Sequence, residues 1–341
     1  MIAYNKIELE KAAKQAGFVR DTFEKVLRLK EVLKYINSDA YLREHLALKG
    51  GTAINMTIFN LPRLSVDIDL DFTPNLSKDD TQMHRKQITE QLCEYMEESG
   101  YYRSESSRYS HSLDAFLFLY QNAGGNRDNI KVEINYSLRS HLFEPTKRRI
   151  VTDMFQEDVM IRTLHPMEIF AAKANALMSR AAARDLYDFN NMITYGLFGK
   201  EEEILLRKCI IFYASVSAEV INRNFDTSAI DGLNFTKIRR DLFPVLRKKD
   251  NFNLEERKKK AKTYIQELMM LTPEEREYLE AFERKEYRPE LLFDDIIHFL
   301  RQEMLDFTAF PVFFVSNLLL VQRKKYYFNR AMVSRNCSIV L

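Results

Sequence analysis

Three aspartates spaced two residues apart, in Val66-Asp-Ile-Asp-Leu-Asp-Phe72, form the pattern in this chain that most plainly suggests chemistry. In a strand, side chains at i, i+2 and i+4 share one face, so Asp67, Asp69 and Asp71 point the same way. Like charges side by side repel, and a packed sheet gains nothing from them. A divalent cation would relieve that repulsion. Upstream, the apolar run 46–48 reads as a short strand, followed by Gly50-Gly51-Thr52 and an apolar-rich segment able to wind into a helix. A glycine turn before a helix lets backbone N–H groups approach phosphates. Carboxylate oxygens suit Mg²⁺ (or Mn²⁺), which takes one or two protein carboxylates together with substrate phosphates. Paired metals clamp the attacking and leaving oxygens of an in-line displacement. The chemistry implied is phosphoryl or nucleotidyl transfer from a nucleoside triphosphate (NTP). Taken alone, the acidic run would read as an edge strand whose charges deter aggregation. Glycine turn, helix and acidic strand together favour a metal site. Spacing leaves open whether the metal pair is Asp67 with Asp69 or Asp69 with Asp71.

Gly50-Gly51-Thr52, followed by Arg63-x-Ser65-x-Asp67-x-Asp69-Leu-Asp-Phe, resembles the signature of the AbiEii/AbiGii toxin family. Those proteins are nucleotidyltransferases related to DNA polymerase β and are the toxin halves of toxin–antitoxin pairs. The resemblance runs from about residue 6 to about residue 293. It implies an α/β (α+β) fold: a polymerase β-like core with a small mixed sheet, then a mainly helical domain. It also selects Asp67 and Asp69 as the Mg²⁺ ligands. Gly50, Gly51, Thr52 and Ser65 join the nucleotide-binding set.

Two further blocks carry the resemblance. In Ile130-Lys-Val-Glu-Ile-Asn-Tyr-Ser137, Val132, Ile134 and Tyr136 face a core, which puts Lys131, Glu133 and Asn135 on the opposite side. A two-metal site needs a third carboxylate from a neighbouring strand. Glu133 is the acidic residue this strand offers, and the family places its third acid in a comparable strand. An exposed Glu beside Lys131 is the commoner fate of such a residue. The third block is Leu164-His-Pro-Met-Glu-Ile-Phe-Ala-Ala-Lys173 through Arg184-Asp-Leu-Tyr-Asp-Phe189. Pro166 fits a first helical turn, with His165 at the helix entry and Glu168 at the positive end. Lys173, Leu177, Arg180 and Arg184 lie at offsets that make one continuous helical stripe. A basic stripe beside carboxylates would serve a triphosphate, lysine as a point charge and arginine as a fork. The family pattern, Lys then Arg-Asp-x-x-Asp, lands on Lys173, Arg184, Asp185 and Asp188, implying a triphosphate contact for Lys173 and a site role for Asp185. A salt-bridge network within one helix accounts for Asp188 equally well. Lys173 has no acidic residue three or four positions away.

The elements that must position these residues follow. Residues 1–45 read as a helical brace, with Phe23, Val26, Leu27, Leu33 and Ile36 near a 3.6-residue period. Residues 46–160 form the nucleotidyltransferase core. It includes a polar helix over 79–98 and two strands, 113–121 and 130–137, joined through Asn122-Ala-Gly-Gly-Asn-Arg-Asp. Residues 161–306 form a helical domain contributing to the nucleotide site, with apolar periodicity over 204–221, 262–271, 273–282 and 293–300. Between them, 247–262 is the most positive segment of the chain, either a solvated face or a patch for an RNA backbone. Residues 307–341 depart from the family. The apolar run 307–321 is broken by Thr308, Pro311, Ser316 and Asn317 and is shorter than the ~20 residues of a membrane span; a buried terminal helix is expected there, with a dimer contact or a membrane-surface anchor as the alternative.

Composition describes an ordinary globular protein, 46% hydrophobic and 29% charged over 341 residues. A net charge of +2 excludes a bulk polycation, so any nucleic-acid surface must be local. Three scattered cysteines and the lack of a signal peptide point to the cytoplasm. Six scattered histidines give no His-cluster metal site. The expected activity is Mg²⁺-dependent transfer of NMP from an NTP to an acceptor, a tRNA 3′ end first among the candidates, countered by a cognate antitoxin encoded nearby. Two rivals are nucleotidylation of a protein hydroxyl and a non-catalytic nucleotide-binding module; three aligned acids speak against the second.

Overall fold

The computed structural model describes residues 4–137, 141–150, 157–217 and 224–293. The helix expected over 293–300, the apolar tail and Cys337 fall outside these residues, apart from Phe293. The N-terminal brace consists of three helices: α1 (Lys6–Ala16), α2 (Arg20–Ser38) and α3 (Ala40–His45). Gly17, at φ +82°, ends α1 as a left-handed cap, and the Asp39 carboxylate caps α3 through the Leu42 N–H.

Among the described residues, eight strands form one mixed sheet: β1 (Leu46–Lys49), β2 (Asp67–Phe72), β3 (Tyr102–Arg103), β4 (Arg108–Tyr109), β5 (Leu113–Gln121), β6 (Arg127–Asn135), β7 (Thr146–Arg149) and β8 (Met160–Thr163). Their order is β3-β5-β6-β2-β1-β8-β7, with β4 pairing β5. The pairs β2/β6 and β1/β8 are parallel; the others are antiparallel. Alternation fixes the register of the long hairpin: Phe116, Phe118 and Tyr120 of β5 and Ile130, Val132 and Ile134 of β6 are all buried on one side. The hairpin connection is tighter than expected, because Arg127 and Asp128 already belong to β6. Asn122 closes the turn by accepting from the Gly124 and Asn126 N–H groups. β3, β4, β7 and β8 escaped the sequence reading. They are two to four residues long, and β7 is Thr-Lys-Arg-Arg with no apolar alternation.

After β1 the chain enters α4 (Gly50–Ala53), which widens without a break into a π-turn over Ile54–Ile58. The polar helix α5 (Lys78–Glu98) is capped by Ser77. The helical half comprises α6 (Pro166–Ser179), α7 (Ala183–Thr194), α8 (Lys200–Ser217), α9 (Ser228–Asp231), α10 (Phe235–Asp241), α11 (Leu254–Leu268) and α12 (Pro273–Glu283). α6 packs against both α7 and α8, and α11 packs on α7. α12 opens with a reciprocal capping box between Thr272 and Glu275. Among the described residues, no helix is long and apolar enough to cross a membrane.

Candidate active site

The glycine turn and the acidic strand are built against each other. Gly50 adopts φ +69°, and a Cβ there would lie 2.5 Å from Asp69 Oδ2. Only glycine permits both the backbone angle and that close approach. At Gly51 a Cβ would lie 2.7 Å from Arg63 Nη2 and 3.1 Å from Ser65 Oγ. Thr52 is fully buried; its hydroxyl donates to the Asp67 carbonyl and shares a 2.9 Å hydrogen bond with Ser65. The two hydroxyls therefore lock α4 to β2, and what the turn can offer a phosphate is backbone N–H.

Register brings the carboxylates together. Asp69 on β2 lies opposite Glu133 on the parallel β6 and opposite Lys49 on the antiparallel β1. Burial, then the neighbouring Asp67 and Glu133 charges, push the Asp69 carboxyl up to about 6, with Lys49 and Lys173 pulling the other way. The repulsion expected from the spacing is thus concentrated on one side chain. Its two neighbours each hold a cation: Arg184 Nη1 is 3.6 Å from Asp67 Oδ2, and Lys131 Nζ is 2.9 Å from Glu133 Oε1. Asp71 shares their face but not their surroundings. It is fully buried and ion-paired to Lys49 at 2.5 Å. Among the described residues, no three His, Cys, Asp or Glu side chains form a finished metal cage. Hard carboxylate oxygens crowding one destabilised carboxylate nevertheless suit Mg²⁺ or Mn²⁺.

The third block differs from expectation in two respects. The stripe from Lys173 to Arg184 is not one helix: α6 ends at Ser179, Ala181 turns to φ +45°, Ala182 is extended, and α7 starts at Ala183. Lys173 and Arg184 consequently sit on different helices. Nor is Lys173 free of acidic partners, since the turn folds α7 back beside it. Its Nζ lies 2.8 Å from Asp185 Oδ1 and 3.2 Å from Asp188 Oδ2. Burial pulls the Lys173 pKa down, but Asp188 and Asp185 outweigh it and the net shift is upward. Asp188 forms no salt bridge within its own helix. It takes a two-pronged bond from Arg63, Nε at 2.8 Å and Nη2 at 2.6 Å, across 125 residues of sequence. Burial pushes the Asp188 carboxyl up, yet Arg63 and Lys173 hold it below the usual carboxylate range.

The family model described as the nucleotidyl transferase AbiEii toxin of type IV toxin–antitoxin systems matches residues 31–286. The chain belongs to the AbiEii family. It is a nucleotidyltransferase toxin of a type IV toxin–antitoxin system, with an NTP as substrate and an antitoxin as partner. Its fold is similar to that of MenT4, a nucleotidyltransferase toxin from Mycobacterium tuberculosis H37Rv, with a TM-score of 0.63 at 16% identity over 85% of this chain and 97% of that one. No curated protein matches the chain in sequence.

Within this AbiEii chain, Arg63 is the residue that sequence reasoning quoted but left without a role. It is almost completely buried, and its signal was an arginine set among Leu61, Pro62 and Leu64, where a charge needs a partner. Lys49 was also missed, because it precedes the glycine pair and looks like an ordinary strand end. The basic segment 247–262 is only partly a surface: Lys258 is buried against Glu255 and the Asp231 carbonyl, and Lys260 donates to Thr194. Glu168 is likewise more than a favourable charge at a helix start. It is buried and accepts from the Leu142 N–H at 2.7 Å and from the Tyr213 hydroxyl.

Proposed function

We propose that this AbiEii toxin transfers NMP from an NTP to the 3′ end of a tRNA, in a divalent-metal-dependent reaction in the cytoplasm. The observation that carries the catalytic reading is Asp69, pressed against Gly50 and flanked by Asp67 and Glu133. Asp67, Asp69 and Glu133 would hold the metal. When bound, Mg²⁺ supplies Lewis-acid polarisation of the phosphates and orients them for in-line attack.

The remaining roles fall to the chain's own groups. Glu133 accepts the proton of the attacking hydroxyl as its oxygen bonds to the α-phosphorus and pyrophosphate departs. Gly50 and Gly51 offer backbone N–H to the phosphates. Arg184, 3.6 Å from Asp67, is near enough to the acids to offer its fork to a phosphate. Asp185 and Asp188 hold Lys173 beside the site, where its positive charge meets the charge developing on pyrophosphate. The basic surface of the helical half favours RNA over a protein hydroxyl as acceptor.

The test is incubation of purified protein with Mg²⁺, each labelled NTP and either total RNA or total protein. Label should enter RNA of tRNA size and be removed by 3′-end trimming. Asp69→Asn, nearly isosteric, should abolish transfer and leave the melting profile intact. Full activity in that variant would overturn the metal assignment, and label in protein would replace the acceptor.

A further inference from the structure

We infer that the surface formed by α10 and the turn after it is the platform on which the single-stranded end of the acceptor RNA stacks. Among the described residues, two phenylalanines stand exposed, and both are here: Phe235 at 60% and Phe243 at 38%. Their rings meet edge to face, 5.6 Å between centroids at 82°. Neither is needed to seat the segment, since Ile238, Leu242 and Val245 face inward and are buried. An exposed ring pair that contributes nothing to the core is apolar surface held in water at a cost.

Charge identifies the occupant. Residues 235–249 carry six basic side chains and one acidic, in a chain whose net charge is only +2. The acid, Asp241, is already neutralised by a two-pronged bond from Arg240. Lys237, Arg239, Lys248 and Lys249, all exposed, lie within six residues of one or other ring in the chain, Lys237 donating to the Gly232 carbonyl. Aromatic faces among cations are what a single strand recognises, bases on the rings and phosphates on the charges.

Position ties this platform to the catalytic strand. α10 packs on α7, and Asp241 lies within electrostatic reach of Arg184, the residue beside Asp67. The chain after α10 is stitched to the segment leading into β2: the Leu64 N–H donates to the Val245 carbonyl at 2.8 Å, and Arg63 bridges Leu246. An RNA end stacked on Phe235 and Phe243 is thereby led toward Asp67 and Asp69. The inference rests on the RNA-acceptor reading above, and the experiment separates the two.

Wild type, Phe235→Leu/Phe243→Leu and Phe235→Trp/Phe243→Trp are compared for binding to labelled tRNA, intact or trimmed of its unpaired 3′ end. Leucine keeps the apolar area and removes the ring; tryptophan restores a ring. The leucine pair should bind intact tRNA about tenfold more weakly, the loss of stacking under one base, and should bind trimmed tRNA as wild type does. Its thermal shift with NTP and its salt slope should be unchanged, because nucleotide and phosphate contacts remain. The tryptophan pair should recover binding. Should the leucine pair bind and modify tRNA like wild type, the platform is wrong and the RNA reading stands. Should it instead lose only neutralisation by the antitoxin, the surface belongs to that protein and the inference falls. Wild type that labels protein and no RNA would sink the acceptor reading, and the platform with it.

Discussion

Lys173 shows how a residue can serve catalysis and stability through the same contacts. Its ammonium is buried between Asp185 and Asp188, so removing the charge leaves Asp185 with the more distant Arg180 and Asp188 with Arg63, and takes a cation from any phosphate. Breaking a buried pair from one side typically costs about 3–5 kcal/mol. Lys173→Met, which keeps the alkyl stem, should therefore lose transfer and also unfold at lower urea, by a few kcal/mol. A variant that unfolds like the parent yet fails to transfer would assign the lysine to phosphate alone. Gly50 makes the opposite case, a residue defined by what it lacks. Gly50→Ala places a methyl against Asp69 Oδ2 at a left-handed backbone angle. The backbone strain is worth about 1–2 kcal/mol, and displacement of the carboxylate should reduce transfer far more than that loss of stability would. Equal transfer by the alanine variant would show that the Gly50–Asp69 contact does not set the site.

At the scale of elements, the start of α6 carries a testable pH dependence. His165 is its N-cap: Nδ1 accepts from the Met167 N–H at 3.2 Å, and the ring stacks on Phe143. An accepting nitrogen must be unprotonated. Burial, with Arg148 assisting against Glu168, lowers the His165 pKa to about 4. Between pH 6.5 and 4 the unfolded chain takes up a proton that the folded chain refuses, so stability rises with pH across that window and falls as pH drops through it. The size is on the order of 2 kcal/mol after allowance for the partly exposed ring. Melts recorded from pH 7.5 to 4.5 should show this decline, and His165→Asn, which still caps, should flatten it. The same slope in the asparagine variant would assign the acid sensitivity to another group. Sequence foresaw a helix entry at His165 but not the break at Ala181 a few turns on. No proline or glycine marks that break; what defines it is α7 folding back to bring Asp185 and Asp188 beside Lys173.

Over the whole molecule, the proposed nucleotide site draws on the sheet and the helical half together. β2 and β6 supply the acids, α4 the backbone donors, and α6 and α7 the charges that face them. A ligand spanning these parts stabilises all of them, by about 2.7 kcal/mol at a hundred times its Kd. A non-transferable NTP analogue with Mg²⁺ should thus raise the melting temperature of the parent. Asp69→Asn should lose the Mg²⁺-dependent part of that shift. An undiminished shift in the variant would mean that the nucleotide complex does not engage these carboxylates.

Sequence alone determined the parts whose logic is local. Alternation over two residues put Asp67, Asp69 and Glu133 on one side of strands whose other side is apolar, and the glycine pair marked the turn facing them. Both patterns are set by neighbours a few residues apart, and both stand in the structure. Tertiary structure decided which of the aligned charges are buried and with whom. Asp71 obeys the same alternation as Asp69 yet is sealed under Lys49. Arg63 finds Asp188 from 125 residues away. Periodicity reports the direction of a side chain along its own element. Its ion-pair partner is set by which elements the core packs together, and pairings across a hundred residues leave no trace in local spacing.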